Sequence, residues 1–82
     1  MTAAPSAGVV ETYDLRGLKC PLPVLKTRKR LAAMRQGERL WVETSDALAV
    51  IDIPHFCAED GHALESSLAT ATGHRFLIRK GS

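Results

Sequence analysis

The chain has 82 residues, enough for one small domain, and its 45% hydrophobic and 24% charged residues are ordinary for a globular protein and exclude a fibrous or disordered one. The formal net charge is only +2, smaller than the excess that a dedicated nucleic-acid binder usually shows. No uncharged stretch approaches the roughly 20 apolar residues of a membrane span, and no basic segment followed by an apolar run marks a secretory signal. We therefore expect a cytoplasmic protein without a membrane segment.

The first twenty residues predict a leader, a strand and a loop. Residues 1–8 show no periodic pattern and predict a flexible leader, followed by a single domain over residues 9–81. The β-branched and aromatic residues of positions 9–14 favour a first strand. Residues 15–20 contain Gly17 and end before a proline, which predicts a loop that turns the chain from the strand into a helix.

A first helix is predicted over residues 21–36. Pro21 suits the first helical position, where its missing N–H costs nothing, and Gly37 suits a helix end. Apolar or small residues recur at helical spacing between these two signals. The core-facing stripe consists of Val24, Thr27, Leu31 and Met34.

A second strand and a second helix follow. Residues 39–44 alternate, which places Leu40 and Val42 on one face of a strand and Trp41 and Glu43 on the other. Ser45 and Asp46 are typical N-cap residues for a helix that ends near Gly61. Pro54 lies within its apolar pattern and is expected to start, kink or divide the helix. The apolar residues of that helix are Val50, Ile53, Phe56 and Cys57.

The C-terminal part predicts two further strands joined by a turn at Thr72 and Gly73. Residues 63–70 alternate weakly, with Leu64, Ser66 and Leu68 on one side. Residues 74–80 form the last strand, and its inward-facing residues are Phe76 and Ile78.

The element order is therefore β-α-β-α-β-β, which predicts an α+β two-layer sandwich. A right-handed crossover makes the first two strands parallel, and the last two strands form a hairpin. The result is a four-stranded mixed sheet with two helices on one face. The uncovered face would carry Trp41 and Leu77, either as a contact surface or as single exposed apolar residues.

Cys20 is the candidate for chemistry. It precedes the predicted helix start, where the partial positive charge of the helix dipole lowers the pKa of a thiol and favours the thiolate. Lys19 and Lys26 would add to this field, and the N–H groups of Leu22 and Val24 are the free donors of the first turn. We therefore expect Cys20 to have a lowered pKa.

The surroundings of Cys20 in the sequence exclude two common uses of a reactive cysteine. Pro23 stands where a dithiol oxidoreductase has its second cysteine. The histidines are distant in sequence and have no evident orienting partner, against a cysteine hydrolase. Pro21 and Pro23 stiffen the backbone that holds the sulfur, so a thiol that holds a transferable group remains, beside the alternative of an ordinary loop cysteine.

The segment Asp14-Leu15-Arg16-Gly17-Leu18-Lys19-Cys20-Pro21-Leu22-Pro23-Val24-Leu25-Lys26 resembles the signature of the TusA/SirA-like sulfur-carrier family. Asp46, Asp52-Ile53-Pro54, Phe56-Cys57, Gly61-His62 and the closing Leu77-Ile78-Arg79-Lys80-Gly81 resemble that family in the same order. The resemblance covers residues 10–81. It departs at Ala47, where the family often has proline after the aspartate, and this leaves the branch of the family open.

The resemblance implies a sulfurtransferase relay without a cofactor. The cysteine matching Cys20 would take sulfane sulfur from a cysteine desulfurase, store it as a persulfide and pass it to an acceptor protein. The best-known route of this family ends in tRNA 2-thiouridine, and others serve the molybdenum cofactor or sulfur oxidation. Two further hypotheses are a non-catalytic regulatory or interaction module and a single-thiol redox sensor.

Several other residues have two interpretations. Cys57 is expected to be a small buried hydrophobe. Asp14 and Arg16 either shape the loop and dock a partner, or are a turn-stabilising aspartate and a solvated arginine. The basic residues of the first helix either dock an acidic partner or solvate the helix. Direct nucleic-acid binding is not expected, because aromatic residues make up only 5% of the chain.

A metal site is not expected either. His55 and Glu59 are spaced i, i+4 and supply only two ligands, whereas a structural zinc needs four. His62, beside Gly61, is expected to shape the turn instead.

Overall fold

The computed structural model describes residues 10–81 and has the six expected elements in the expected order. They are β1 (Glu11–Asp14), α1 (Leu22–Ala32), β2 (Arg39–Thr44), α2 (Ala49–Asp60), β3 (Ala63–Ala69) and β4 (His74–Arg79). The leader expected over residues 1–8 and Val9 of the expected first strand lie outside the described residues. Val10 is described and precedes β1.

The four strands form one mixed sheet in the order β1-β2-β4-β3. The pair β1 and β2, joined through α1, is parallel, while β4 is antiparallel to both β2 and β3. The predicted α+β sandwich, its parallel first pair and its C-terminal hairpin are thus confirmed.

The core lies between the sheet and the two helices. Leu40 and Val42 of β2, and Phe76 and Ile78 of β4, are all 0% exposed, which at about 1.5–3 kcal/mol for each large apolar side chain is a main source of stability. The residues between them face the other way. The helices add Leu31, Ala49, Ile53, Phe56 and Cys57 to this core.

The uncovered face of the sheet carries the expected pair. Trp41 and Leu77 are cross-strand partners in the register of β2 and β4. The guanidinium of Arg75 lies 4.1 Å from the centroid of the Trp41 ring, so this ring is covered on one side by a cation of its own sheet.

The start of α1 differs from the prediction by one residue. Pro21 occupies the N-cap position and the helix begins at Leu22. Pro23 is therefore the proline inside the first turn, and its side chain is buried. The N–H of Leu22, expected as a free donor, is hydrogen-bonded to the carbonyl of Lys19 at 2.8 Å.

The predicted end of α1 at residue 36 is wrong, because the helix stops at Ala32. The N–H groups of Ala33 and Met34 each bond to the carbonyl three residues earlier, which tightens the chain out of the α-helical pattern. Gly37 instead has a φ of +90° in the turn before β2, a conformation that favours glycine. Met34 still packs against the core. Its predicted core-facing position is therefore confirmed, although it lies beyond the end of the helix.

The predicted start of α2 is also wrong. Leu48, not Ser45 or Asp46, is the N-cap residue, and the helix begins at Ala49. Ala49 is buried, whereas Val50, expected on the core-facing stripe, is 40% exposed. Ser45 Oγ and Asp46 Oδ2 accept N–H groups of the loop after β1, described below, while Asp46 Oδ1 accepts the N–H of Leu48 at 3.4 Å.

Pro54 does not start or divide α2, which continues through it to Asp60. The end near Gly61 is confirmed: Gly61 has a φ of +78° and its N–H bonds back to the carbonyl of Cys57, a left-handed helix end that glycine allows. Within residues 10–81, neither helix is long and apolar enough to cross a membrane.

A β-bulge overturns the predicted alternation of β3. Leu64 pairs with Ile78, but the register then shifts, so that Ser66 pairs with Leu77. Because an extra residue reverses the face of everything after it, Leu64 packs against the core while Leu68 is 50% exposed. Leu64, Ser66 and Leu68 therefore do not share one side.

Candidate functional site

The loop between β1 and α1 is anchored at its first residue. Leu15 is 3% exposed, and its N–H donates to the carbonyl of Glu43 at 2.8 Å, which extends the pairing with β2. Gly17 follows with a φ of +89°, and its N–H donates to Ser45 Oγ at 2.8 Å. The loop is thus tied to β2 and to the residue that follows β2.

Asp14 and Arg16 form a local pair at the root of this loop. Asp14 Oδ1 accepts hydrogen bonds from the backbone N–H of Arg16 at 3.0 Å and from Arg16 Nε at 2.8 Å. The side-chain hydrogen bond from Arg16 is the largest cause that lowers the pKa of Asp14 to about 2. Arg16 Nε also lies 3.7 Å from Glu43 Oε1. The pair therefore lies at the point where β1 passes into the loop.

Cys20 is exposed at the end of the loop and is held by two carboxylates. Its backbone N–H donates to Asp46 Oδ2 at 2.7 Å, and its thiol donates to Asp52 Oδ2 at 3.0 Å. Asp46 belongs to the loop between β2 and α2, and Asp52 to the first turn of α2. The sulfur thus lies between the starts of the two helices.

The expected low pKa of Cys20 is wrong, because its pKa is raised. The hydrogen bond to Asp52 is the first cause, followed by partial desolvation and by the negative charges of Asp52 and Asp46. Both carboxylates favour the neutral thiol over the thiolate. The prediction considered only the helix dipole and the neighbouring Lys19 and Lys26, and Asp52 is 32 residues away in sequence.

Asp52 is the residue of the site that the sequence analysis left without a role. A carboxylate in the first turn of a helix is ordinarily explained by the helix dipole. The only sequence signal was its place in the motif that resembled the family, next to Ile53 and Pro54. Periodicity cannot show that the first turns of two different helices meet.

The remaining candidate residues lie in the loop before α1 and on α1 itself. Pro21 and Pro23 fix the first turn of α1, with Pro23 buried beneath it. Lys19 is exposed and lines a cleft of about 210 Å³ between the two loops, together with Gly17, Leu18, Ser45, Asp46 and Ala47. Lys26 is exposed on α1.

Large apolar side chains are exposed at the starts of both helices. Leu22 and Leu25 in the first turn of α1 are 43% and 48% exposed, and Leu48 and Ile51 at the start of α2 are 51% and 64% exposed. We call these four residues the apolar rim, because they flank the two helix starts between which Cys20 is held. Exposed apolar side chains grouped in this way are typical of a protein contact surface.

Cys57 is buried at 2% exposure, which confirms it as a small hydrophobic core residue. Among the residues that the structure describes, there is no group of three or more metal-binding side chains. His55 Nε2 lies 3.4 Å from Glu59 Oε2 on the solvent side of α2. His62 Nδ1 accepts the N–H of Gly81 at 3.1 Å, so His62 joins the end of α2 to the C-terminal residues.

This arrangement defines a class of small α+β domains that present one exposed thiol between two helix starts. The family model described as "Sulfurtransferase TusA" matches residues 11–80. The chain therefore belongs to the TusA sulfurtransferase family and is a sulfur carrier of that family.

Two relatives support this assignment. They are the "Putative sulfur carrier protein NMA0882" of Neisseria meningitidis serogroup A and the "Putative sulfur carrier protein NMB0681" of serogroup B. Each is 50% identical to this chain over 54 residues, which cover 66% of this chain and 73% of the relative. The resemblance found in the sequence is thereby confirmed.

Proposed function

We propose that this protein is a persulfide carrier that accepts sulfane sulfur on Cys20 from a cysteine desulfurase and relays it to an acceptor protein. Its activity is that of a sulfurtransferase that acts as a relay and needs a partner at each step. The observation that supports this most directly is the exposed Cys20 thiol at the start of α1 in a chain of the TusA family. The final product is tRNA 2-thiouridine or another product of the same sulfur traffic.

The chemistry of the site fits a carrier better than a self-contained enzyme. Cys20 has carboxylates as neighbours but no histidine among the contacts described for it, so a base and orienter of the hydrolase kind are not assembled there. A persulfide on Cys20 would lie at the surface, where a partner can reach its outer sulfur. Pro21 and Pro23 support the site by holding the backbone on which the sulfur is carried.

The surroundings of Cys20 favour proteins as its partners. The apolar rim supplies a surface that another protein can bury, and Lys19 and Lys26 supply positive charge beside it. Arg28 and Arg30 lie on α1 like Lys26, but they form ion pairs within the molecule, with Asp60 and Glu11 respectively. We therefore assign the docking of an acidic partner to the lysines, with Asp14 and Arg16 shaping the loop.

The decisive experiment measures the intact mass of the protein after incubation with a cysteine desulfurase and cysteine, without reductant. Wild type and Cys57→Ser are expected to gain one sulfur atom that reductant removes, whereas Cys20→Ser gains none. Cys57→Ser is the matched control, because it removes the buried thiol and keeps the exposed one. A wild type that gains no sulfur from the desulfurase, thiosulfate or polysulfide would reject the carrier in favour of an interaction module.

Oxidation products at Cys20 distinguish the redox sensor from the carrier. A sensor would form sulfenic acid or a mixed disulfide in place of a persulfide, and these differ in mass from an added sulfur atom.

The proposed cytoplasmic location is supported by two free thiols in the described chain, Cys20 and Cys57.

The route to tRNA has its own measurement. Nucleosides from cells that lack this protein should be depleted in 2-thiouridine, and Cys20→Ser should not restore them. Unchanged 2-thiouridine would move the acceptor to another branch of sulfur metabolism.

A further inference from the structure

Two carboxylates make different contacts with Cys20. Asp46 accepts the backbone N–H at 2.7 Å, which fixes the position of the main chain. Asp52 accepts the thiol itself at 3.0 Å between Sγ and Oδ2. The thiol of an exposed cysteine can rotate toward water, but here it points toward Asp52. The thiol proton of Cys20, which must be lost when the sulfur reacts, therefore lies next to a carboxylate that can accept it.

We propose that Asp52 accepts the thiol proton of Cys20 during sulfur transfer, an inference that rests on the function proposed above. The thiolate is the nucleophilic form of cysteine, but the site holds the sulfur in its protonated form. A base must therefore act as the sulfur reacts. A general base has to lie within hydrogen-bond reach of the proton that it takes, and Asp52 Oδ2 does.

The step balances without an oxidant or reductant. Cys20 Sγ forms a bond to the outer sulfur of the donor persulfide, and the S–S bond of the donor breaks with its electron pair leaving on the donor's inner sulfur. The proton of Cys20 passes to Asp52 and then to the departing thiolate. The donor persulfide is reduced to a thiol as Cys20 is oxidised to a persulfide, so the two changes cancel and no further oxidant is needed.

The apolar rim gives this role a physical setting. When a partner covers Leu22, Leu25, Leu48 and Ile51, it removes water from around Cys20. Proton transfer to bulk solvent then becomes difficult, and a charge left on sulfur without a partner is costly in a medium of low dielectric constant. A carboxylate already in contact with the thiol keeps the proton within the pair, so no isolated charge is created.

Asp46 does not duplicate this function. Asp46 and Asp52 are the charged groups that face Cys20 from the β2–α2 loop and from α2, and Lys19 precedes Cys20 in the chain. Both aspartates raise the pKa of Cys20 by their charge, but only Asp52 also does so through a hydrogen bond to the sulfur. Asp46 is occupied by the backbone N–H and lacks a contact with the thiol proton.

The test compares wild type, Asp52→Asn and Asp60→Asn in single-turnover transfer from the persulfide form of a cysteine desulfurase. Asparagine keeps the shape of Asp52 and its ability to accept a hydrogen bond, but it cannot take the proton. Asp60 lies on the same helix and pairs with Arg28, so Asp60→Asn is the matched control. Alkylation of Cys20 by iodoacetamide, followed by peptide mass spectrometry, titrates the thiol without sulfur chemistry.

The expected result is a change in pH dependence. Without a base only the thiolate reacts, and its fraction falls tenfold for each unit below its pKa. The ratio of the wild-type rate to the Asp52→Asn rate should therefore be about a hundredfold near pH 6 and fall about tenfold per pH unit toward pH 8. Using the ratio cancels the donor's own ionisation. The alkylation midpoint of Asp52→Asn should also lie below that of wild type, and Asp60→Asn should match wild type in both measurements.

A rate ratio that is the same at every pH would overturn the proposal, because a purely structural role slows transfer equally throughout. An unchanged alkylation midpoint in Asp52→Asn would overturn it as well, because the carboxylate would then not act on the thiol. If wild type accepts no sulfur from the desulfurase, the proposed function fails, whereas the alkylation midpoint still decides whether Asp52 controls the proton of Cys20.

Discussion

The two cysteines have the same side chain and opposite environments. Cys20 is exposed and hydrogen-bonded through its thiol. Cys57 is 2% exposed, and burial is the main cause that raises its pKa to about 11, with the charge of Asp60 adding to it. Reactivity requires both access and thiolate, and Cys57 lacks both.

Thiol labelling should therefore distinguish the two residues. In the native protein at about pH 8, a chromogenic disulfide reagent is expected to react with one thiol, and in concentrated guanidinium chloride with two. Cys20→Ser should leave no rapidly reacting thiol, whereas Cys57→Ser should react like wild type. Rapid labelling of Cys57 in the native protein, located by peptide mapping, would contradict the burial described here.

The loop between β2 and α2 fixes the loop between β1 and α1 by hydrogen bonds to its backbone. The loop after β2 supplies Ser45 Oγ to the N–H of Gly17 at 2.8 Å and Asp46 Oδ2 to the N–H of Cys20 at 2.7 Å. Gly73, in the turn between β3 and β4, packs so closely that an added Cβ would lie 2.1 Å from the carbonyl oxygen of Thr44. The hairpin turn thus supports the loop that supports Cys20.

Asp46→Ala should loosen this arrangement locally. It removes the acceptor of the Cys20 N–H and the longer contact of Asp46 with the N–H of Leu48. Because the site is exposed and water can replace the oxygens, the expected loss in free energy of unfolding is about 1 kcal/mol. Amide hydrogen exchange at Cys20 should become faster while exchange at Gly17 changes little. Ser45→Ala is the reciprocal control, with faster exchange at Gly17. Unchanged protection of Cys20 in Asp46→Ala would contradict the hydrogen bond.

The same loop shows which features the sequence could and could not predict. Residue composition predicted β1 and periodic spacing predicted the other five elements, because both depend only on local sequence. Ser45 and Asp46 have the right chemistry to cap α2, but Ser45 Oγ and Asp46 Oδ2 accept N–H groups 28 and 26 positions away, contacts that the tertiary structure determines. The bulge in β3 escaped prediction for the same reason, since register depends on the partner strand.

The candidate site also combines a residue that the sequence predicted with neighbours that it did not predict. Cys20 was predicted from its neighbours in sequence, because it stands directly before a proline-rich helix start. The electrostatic effect on it had the wrong sign, because the charges that dominate come from Asp52 and Asp46 in another part of the chain. Local sequence therefore pointed to the candidate thiol, and only the fold showed which groups raise its pKa.

The residues after β4 join the ends of both helices. Lys80 Nζ donates to the carbonyl of Leu31 at the end of α1, and the N–H of Gly81 donates to His62 Nδ1 after α2. An added Cβ on Gly81 would lie 1.7 Å from the carbonyl oxygen of Gly61, so the chain passes here in direct contact with the end of α2. The C-terminal segment thus helps to hold the helix layer together.

This connection should weaken in mild acid. Desolvation is the main cause that lowers the pKa of His62 from 6.5, with Lys80 acting in the same direction and Asp60 opposing it. The unfolded chain therefore binds a proton at a higher pH than the folded one. Stability contributed by neutral His62 is present above 6.5 and is lost as the pH falls through the lower folded value. Protonation at Nδ1 would also remove the acceptor for the N–H of Gly81.

Urea unfolding measured at several pH values on either side of 6.5 should show a free energy of unfolding that decreases toward acid. His62→Gln should reduce this slope, because glutamine keeps a hydrogen-bonding side chain that does not titrate. His55→Gln should keep the slope, because His55 is exposed on α2 and contacts Glu59 rather than the C-terminal segment. Equal slopes in wild type and His62→Gln would show that the connection between Gly81 and His62 does not sense pH, and that the acid sensitivity arises elsewhere in the molecule.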